Sequence, residues 1–279
     1  MLNVHKLLID PFLDELAEAY DRAYGMAEPH YANIIRWSGQ FALENIANCD
    51  ALYHNVEHTI MVTLAGQEIL RGKHLLEGGV SPSNWLHFIL ALLCHDIGYV
   101  RGICRGDGDG YSATGIGEEV ATVGDRGSCA SLAPYHVDRS KRFVRERFGG
   151  NTLVDVDAEV VVSFIERSRF PVPEEPGYQD THDFPGLLRA ADFIGQLGDP
   201  HYLRKIPALF FEFEETGANK AIGYESPGDM RNNYARFYWN VVRPYIGPAL
   251  KYLAVTQEGK QWISNLHSHV FTVEHAQNY

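Results

Sequence analysis

The sequence predicts an all-α protein, a multi-helix array interrupted by one long glycine-rich loop. Three observations carry this expectation. Helix start and stop punctuation recurs along the whole chain, alternating strand patterns bounded by tight turns are scarce, and the apolar run WLHFILALLC (Trp85 to Cys94) reads as a helix buried on every side. At 279 residues and 45 % hydrophobic, the chain can bury a large core, and it is read as one domain over 1–279.

Taken in order, Asp10-Pro11 caps and opens a first helix, since proline fits a first helical turn. Helices are expected next at 31–47 and 54–72. Ser81-Pro82 repeats the start signal for a helix that runs to Ile97 and stops at Gly98. From Arg101 to Cys129 the chain reads RGICRGDGDGYSATGIGEEVATVGDRGSC, whose eight glycines give too much backbone freedom for a core helix. Because this loop directly follows His95-Asp96, it is read as a lid or rim over those residues, with a mobile connector as the alternative. Its GDGDG has no glutamate at the offset that completes an EF-hand, so calcium is not expected. Further helices are expected at 129–148, 155–168, 184–197, 201–216, 229–254 and 258–275.

Composition excludes some function classes. A formal net charge of -12 argues against binding a nucleic-acid polymer, whose affinity comes mainly from clustered Lys and Arg. Small anions stay open, because a metal can supply local positive charge. Cys49, Cys94, Cys104 and Cys129 show no paired spacing, which suits a reducing compartment. The N-terminus MLNVHKLLIDPFLDE lacks the features of a signal peptide, and no apolar run reaches the length of a membrane span. The expectation is a cytoplasmic protein that does not enter a membrane; oligomeric state is unspecified.

The polar residues in apolar surroundings point to chemistry. His95 and Asp96 emerge from the buried run, and a carboxylate there must pair, accept hydrogen bonds or bind a metal. Asp192, in FPGLLRAADFIGQL (Phe184 to Leu197), lies on a face that ought to be core. Two inward aspartates ask for a common cation. In ALYHNVEHTIMV, His54 and His58 stand at i and i+4 and are expected to share one stripe of a helix. Any lone pair of this kind is most simply a surface or hydrogen-bonded core pair. Together, however, His58, His95, Asp96 and Asp192 form a mixed N/O set suited to one or two divalent ions among Mn, Fe, Ni, Mg and Zn.

This H…HD…D pattern on a helical core resembles the HD superfamily of metal-dependent phosphohydrolases. Within it, Tyr53-His54-Asn55-x-x-His58-x-x-x-Val62, followed by an apolar helix ending in His95-Asp96, is similar to the first motif of the cyclic-nucleotide phosphodiesterase catalytic domain. Weaker similarity continues through ADFIGQLGDP, FFEFEETG and VVRPYIG, over about residues 40–270. The resemblance implies an HD/phosphodiesterase-like array with a metal core at about 40–200 and C-terminal helices at 201–275 completing the pocket. It further implies that His58, His95, Asp96 and Asp192 hold a first metal, that Asp96 can bridge to a second, and that His54 protonates the departing ester oxygen. Tyr53 and Asn55 are counted with the substrate contacts.

Two departures stand out. Where the phosphodiesterases carry a further histidine after the HD pair, this chain has Tyr99, and His136 in LAPYHVDRSKRFV is the best replacement. The position of their purine-binding glutamine falls near Tyr234, and that of the base-stacking aromatic near Phe237. Stacking can survive while amide recognition is lost. The expected function is a metal-dependent phosphohydrolase, phosphodiesterase-like, in which hydroxide made at the metal cleaves a small phosphoester or a (cyclic) nucleotide. An HD-type di-iron oxygenase and a non-catalytic metal-containing nucleotide sensor remain the alternatives. His182, Glu166 and Arg167 are secondary site candidates, while His201, His267, His269 and His275 read as surface histidines.

Overall fold

The computed structural model describes residues 3–124, 127–150 and 153–276. Helices dominate, in keeping with the all-α expectation, and the one sheet among the described residues is a two-stranded ribbon. Helix α1 (Val4–Tyr24) starts earlier than expected, because the Asn3 side chain caps the Lys6 N–H. Pro11 therefore lies inside it, on the exposed face, where water can satisfy the carbonyl that the proline leaves unbonded. Helix α2 (His30–Ile46) packs against α1, with Gly39 seated on Leu13.

Helix α3 (Val56–Glu77) is capped by Asn55, whose side chain accepts from the Glu57 and His58 N–H groups at 3.0 and 3.3 Å. His54 consequently precedes the helix. The expectation that His54 and His58 share a helical stripe is corrected: an asparagine cap outcompetes one more turn of helix. Helix α4 (Pro82–Cys94) opens at the Ser81 cap as expected, and every residue from Trp85 to Cys94 is buried. It ends short of the predicted Ile97, and the chain tightens into a 3₁₀ turn at Ile97–Tyr99.

The glycine-rich segment is more ordered than a free connector. It carries an antiparallel ribbon, β1 (Tyr111–Ala113) and β2 (Val120–Thr122), with Tyr111 opposite Thr122. A 3₁₀ turn (Cys129–Leu132) then leads to α5 (His136–Phe148). The fully buried Arg139 of α5 holds this segment down: it pairs with Asp107 at 2.9 Å and donates to the carbonyls of Gly98, Val100 and Ala113. The loop is thus fastened to α5 by a buried fork of charge-assisted bonds.

Helix α6 (Ala158–Ile165) follows its Asp157 cap and ends in a 3₁₀ turn at Glu166–Ser168. Helix α7 (Phe184–Leu197) has the predicted bounds, set by the Asp183 cap and Pro185. Helix α8 (Tyr202–Thr216) is followed by α9 (Ala218–Ala221), α10 (Pro227–Asn232) and α11 (Tyr234–Phe237). A π-helical turn (Tyr238–Val242), α12 (Arg243–Leu253) and α13 (Gln257–Glu274) complete the chain. The single helix expected over 229–254 is therefore broken. Asn233 closes α10, and the wide turn comes just before Pro244, which has no N–H to continue an α ladder.

Two glycines set the spacing of the central helices. A Cβ at Gly195 of α7 would meet the Val62 Cα of α3 at 2.4 Å, and one at Gly66 of α3 would meet Leu92 of α4 at 2.3 Å. At the α3–α7 crossing the obstacle is backbone, so the missing side chain of Gly195 is what lets these two helices approach this closely, whereas at Gly66 the obstacle is a Leu92 methyl. No helix among the described residues is long and apolar enough to cross a membrane.

Candidate metal centre

Each candidate ligand sits about one turn from a close contact or a helix end. His58 lies four residues before Val62, Asp192 three before Gly195, and His95-Asp96 directly after α4. The close α3–α7 crossing therefore carries His58 and Asp192 toward the end of α4. His58 Nε2 and His95 Nε2 each stand 3.2 Å from Asp96 Oδ2 and 3.7 Å from Asp192 Oδ1. The donor atoms of His58, His95 and Asp192 lie within 4.8 Å of one another, and so do those of His54, His58 and Asp96. Asp192 is less enclosed than its sequence context implied, with 21 % of its side chain accessible, against 8 % or less for the other three.

The donor set fits a cation. His95 Nε2 and Asp96 Oδ2 are both buried and have no hydrogen-bond partner, although they are only 3.2 Å apart. Two such atoms would be costly in an apolar interior unless a third charged body satisfied both. The histidine tautomers agree with this. His95 Nδ1 faces the Leu92 carbonyl at 2.7 Å, and a carbonyl only accepts, so Nδ1 carries the proton and Nε2 offers its lone pair to the cluster. His136 repeats the arrangement with the Ala133 carbonyl, and its Nε2 lies 3.7 Å from Asp96 Oδ1. The Asp96 carboxylate thus turns one oxygen to His58 and His95 and the other to His136, the disposition of a bridging ligand.

The electrostatics favour positive charge. Burial opposes ionisation of Asp96, yet the imidazoles around it, His95 foremost, hold its carboxyl well below the ordinary range. Burial likewise disfavours charge on His95, but Asp96 beside it raises its pKa to about 9. Burial pushes His136 down, and Asp96 only partly offsets this, leaving a neutral ring suited to donate a lone pair. A proton or a metal ion can answer such a field, and the donor geometry suits the metal. Asp96 itself has φ -108° and ψ 3°, close to the bridge region of backbone space where many active-site residues sit.

A family model described as Npun_R2479-like matches residues 2–276. The chain belongs to the Npun_R2479-like family. That description names no reaction, and no curated protein matches the chain.

In this Npun_R2479-like chain, His54 is positioned by a residue that the sequence reading did not nominate. The buried Glu212 of α8 accepts from the Tyr53 N–H at 2.6 Å, from the His54 N–H at 3.2 Å and from His54 Nδ1. Burial would lower the pKa of His54, but the Glu212 carboxylate and, more weakly, Asp96 and Asp192 raise it to about 9. A pKa raised to about 9 keeps His54 as an imidazolium at neutral pH, with its Nδ1–H donated to the Glu212 carboxylate. The signal for Glu212 was a carboxylate flanked by phenylalanines on both sides in FFEFEETG.

Tyr99 stacks between two histidines, with its ring 4.5 Å from His54 and 4.6 Å from His136. Burial, and the carboxylates of Asp96 and Glu212 nearby, push its phenol well above the ordinary range, so it stays neutral. Tyr53 packs against both His54 and His58. Together with Asn55, His58 and Met61 it borders a cavity of about 170 Å³, where Lys205 pairs with Glu57 at 2.7 Å and Asp199 at 2.6 Å. Asn55 is already engaged as the α3 cap.

Other nominated residues lie elsewhere. Tyr234 is buried against Tyr202 and donates to the Leu197 carbonyl at 3.4 Å, and Phe237 packs on Phe170. Glu166 pairs with Lys141 and Arg169, Arg167 pairs with Asp183, and the His182 side chain is 77 % accessible. The described part of the glycine-rich segment makes side-chain contacts with α5 and, at its end, with Glu215 of α8 and with Asp50.

Proposed function

We propose that this protein is a metal-dependent phosphohydrolase, similar to phosphodiesterases in its acid and metal residues, acting on a small phosphoester or nucleotide. The observation that carries the reading is the convergence of His58, His95, Asp96 and Asp192 with two buried donor atoms left unpartnered. These four side chains would hold a divalent cation among Mn, Fe, Ni, Mg and Zn, and Asp96 with His136 would offer part of a second site. When bound, such an ion supplies a Lewis acid that polarises a phosphoryl oxygen and brings the pKa of water down toward about 7.

The chain's own residues do the rest. Glu212 fixes the His54 ring through Nδ1, so that Nε2 is free to hand a proton to the departing ester oxygen. The Tyr99 ring, packed on His54, restricts its rotation from the other side. Tyr53 and Met61 give the neighbouring cavity an apolar wall, and its size is below the roughly 300–1,000 Å³ of sites for drug-sized ligands, which favours a small ester over a purine nucleotide.

The test is to purify the protein without added metal, measure bound metals by elemental analysis, and assay bis(p-nitrophenyl) phosphate and cyclic nucleotides with Mn, Fe, Ni and Mg. Hydrolysis that is lost in both His54→Ala and Asp96→Ala, with metal retained in His54→Ala, supports the proposal. Bound iron with no hydrolysis of any ester would overturn it and direct attention to O₂ chemistry. Tight nucleotide binding without turnover would also overturn it, in favour of a sensor.

A further inference from the structure

The cavity of about 170 Å³ adjoins the metal cluster along its lining. His58 belongs to both, and Tyr53 and Asn55 flank His54 in the chain. Gly195 stands one turn after Asp192 on α7, and Asp192 is the ligand whose side chain is most accessible. A phosphoester held at the cluster therefore has this space beside it for one ester arm. The polar end of the cavity is built by three charged side chains. Lys205 of α8 reaches Glu57 Oε1 of α3 at 2.7 Å and Asp199 Oδ2 at 2.6 Å. An ammonium has three N–H groups, so one is left for a ligand. Asp199 is saturated, since its other oxygen accepts from the His201 N–H at 2.7 Å. Glu57 is the outer member, with 51 % of its side chain accessible, and it meets Lys205 through only one of its oxygens. Asn55 is spent on the α3 cap and on the Leu52 carbonyl, to which its Nδ2 donates at 3.1 Å.

One donor and one acceptor thus stand side by side, with one ammonium against two carboxylates. This combination selects among alcohols. An alkyl or aryl arm would strip water from Lys205 and Glu57 and return no hydrogen bond. A second phosphate or carboxylate on the substrate would meet the surplus negative charge. A hydroxyl both donates and accepts, so a vicinal diol can accept from Lys205 through one oxygen and donate to Glu57 through its neighbour. Leu52, Tyr53 and Met61 supply the apolar wall that covers the carbons. The size agrees: a cavity of about 150 Å³ takes up benzene, so this one holds about six or seven non-hydrogen atoms, the size of glycerol.

Resting on the phosphohydrolase reading, we propose that the substrate is a phosphoester of a small vicinal polyol, glycerol-like in size, and that Lys205 with Glu57 is the specificity-determining pair. Hydrolysis adds the elements of water across the P–O bond, oxygen to phosphorus and a proton to the departing polyol oxygen.

The experiment gives the full-length protein, loaded in turn with Mn, Fe, Ni and Mg, an equimolar mixture of glyceryl, propyl, aminopropyl and carboxyethyl methyl phosphates. Phosphorus NMR follows all four esters in one tube, so their relative rates report relative kcat/KM. The glyceryl ester should disappear at least about tenfold faster than the propyl ester, and this ratio should fall at least about fivefold in Lys205→Met and in Glu57→Ala. Lys205 also ties α3 to the turn before α8, so Glu57→Ala, at an exposed side chain, guards against a folding defect. Equal consumption of the glyceryl and propyl esters overturns the proposal and leaves the phosphohydrolase reading intact. So does preference for the aminopropyl or carboxyethyl ester, a ratio unchanged in both variants, or cleavage of bis(p-nitrophenyl) phosphate alone. If no ester of any kind is cleaved, the phosphohydrolase reading fails separately, and binding decides the polyol site. Glycerol phosphate must then raise the melting temperature more than propyl phosphate does in the wild type and lose that advantage in Glu57→Ala; equal shifts in the wild type overturn the site.

Discussion

Gly195→Ala is the most direct test of how the fold builds the cluster. The added methyl would stand 2.4 Å from the Val62 Cα, where ordinary contact begins at 3.4 Å, so α3 and α7 must separate by about 1 Å at their crossing. The obstacle is backbone, which no rotamer change relieves, so the overpacking cost falls at the upper end of the usual range, about 3 kcal/mol. Alanine's better helix propensity returns about 1 kcal/mol. The net loss is about 2 kcal/mol, or roughly 3–4 °C in melting temperature for a chain of 279 residues. Gly228→Ala in α10 is the matched control: its methyl meets only Ser226 Oγ at 3.4 Å. That variant should gain about 0.5 kcal/mol and melt slightly higher. Differential scanning calorimetry of the three proteins decides the matter. If Gly195→Ala melts at or above the wild type, the close approach of α3 and α7 does not depend on this glycine and the reasoning fails.

Three further outcomes follow from the contacts described. Glu212→Gln keeps a polar group beside His54 but removes the charge that holds its proton, so ester hydrolysis should fall at least about 100-fold with bound metal unchanged, as read by turnover assays beside elemental analysis. Asp192→Ala should at least halve the bound metal, whereas His54→Ala should leave it at the wild-type level; equal losses in both would count against the assigned roles. Asp107 is pushed up by burial but pulled lower still by its bond and charge pairing with Arg139, so its folded pKa lies below that of the unfolded chain. The pair's contribution is full above about pH 4 and is lost as pH falls through the folded value. Limited proteolysis with an acid-tolerant protease should show cuts between Arg101 and Gly124 appearing below that pH in the wild type, and already at neutral pH in Asp107→Asn.

Helix starts with side-chain caps were legible from local residues. Ser81-Pro82 and the Asp183-Phe184-Pro185 stretch gave α4 and α7 their first turns, because a cap is a contact between neighbours in sequence. Asp10-Pro11 misled because the same pair can sit within a helix when the proline faces water, and Asn3 was an equally good cap. His54 was placed on α3 by its i, i+4 spacing, although Asn55 between the two histidines is the stronger local determinant. The four candidate ligands were found as polar residues in apolar stretches, a property of short windows. Glu212 was missed since its partner His54 lies 158 residues away, and the ribbon at 111–122 since it depends on Arg139 of α5 rather than on its own alternation. Tyr99 was noted as a departure, but its place between two imidazoles is a tertiary fact.

The four donor side chains at the centre come from three stretches of chain separated by long excursions, from His58 to Asp192. In an unfolded chain these groups are dispersed, so a cation with affinity for the set selects the native state by mass action. At a hundred times its dissociation constant, such an ion adds about 2.7 kcal/mol to the folding free energy. The melting temperature then becomes a titratable readout of ion preference. A panel of metal salts in a thermal-shift plate would rank the cations for this protein before any substrate is known.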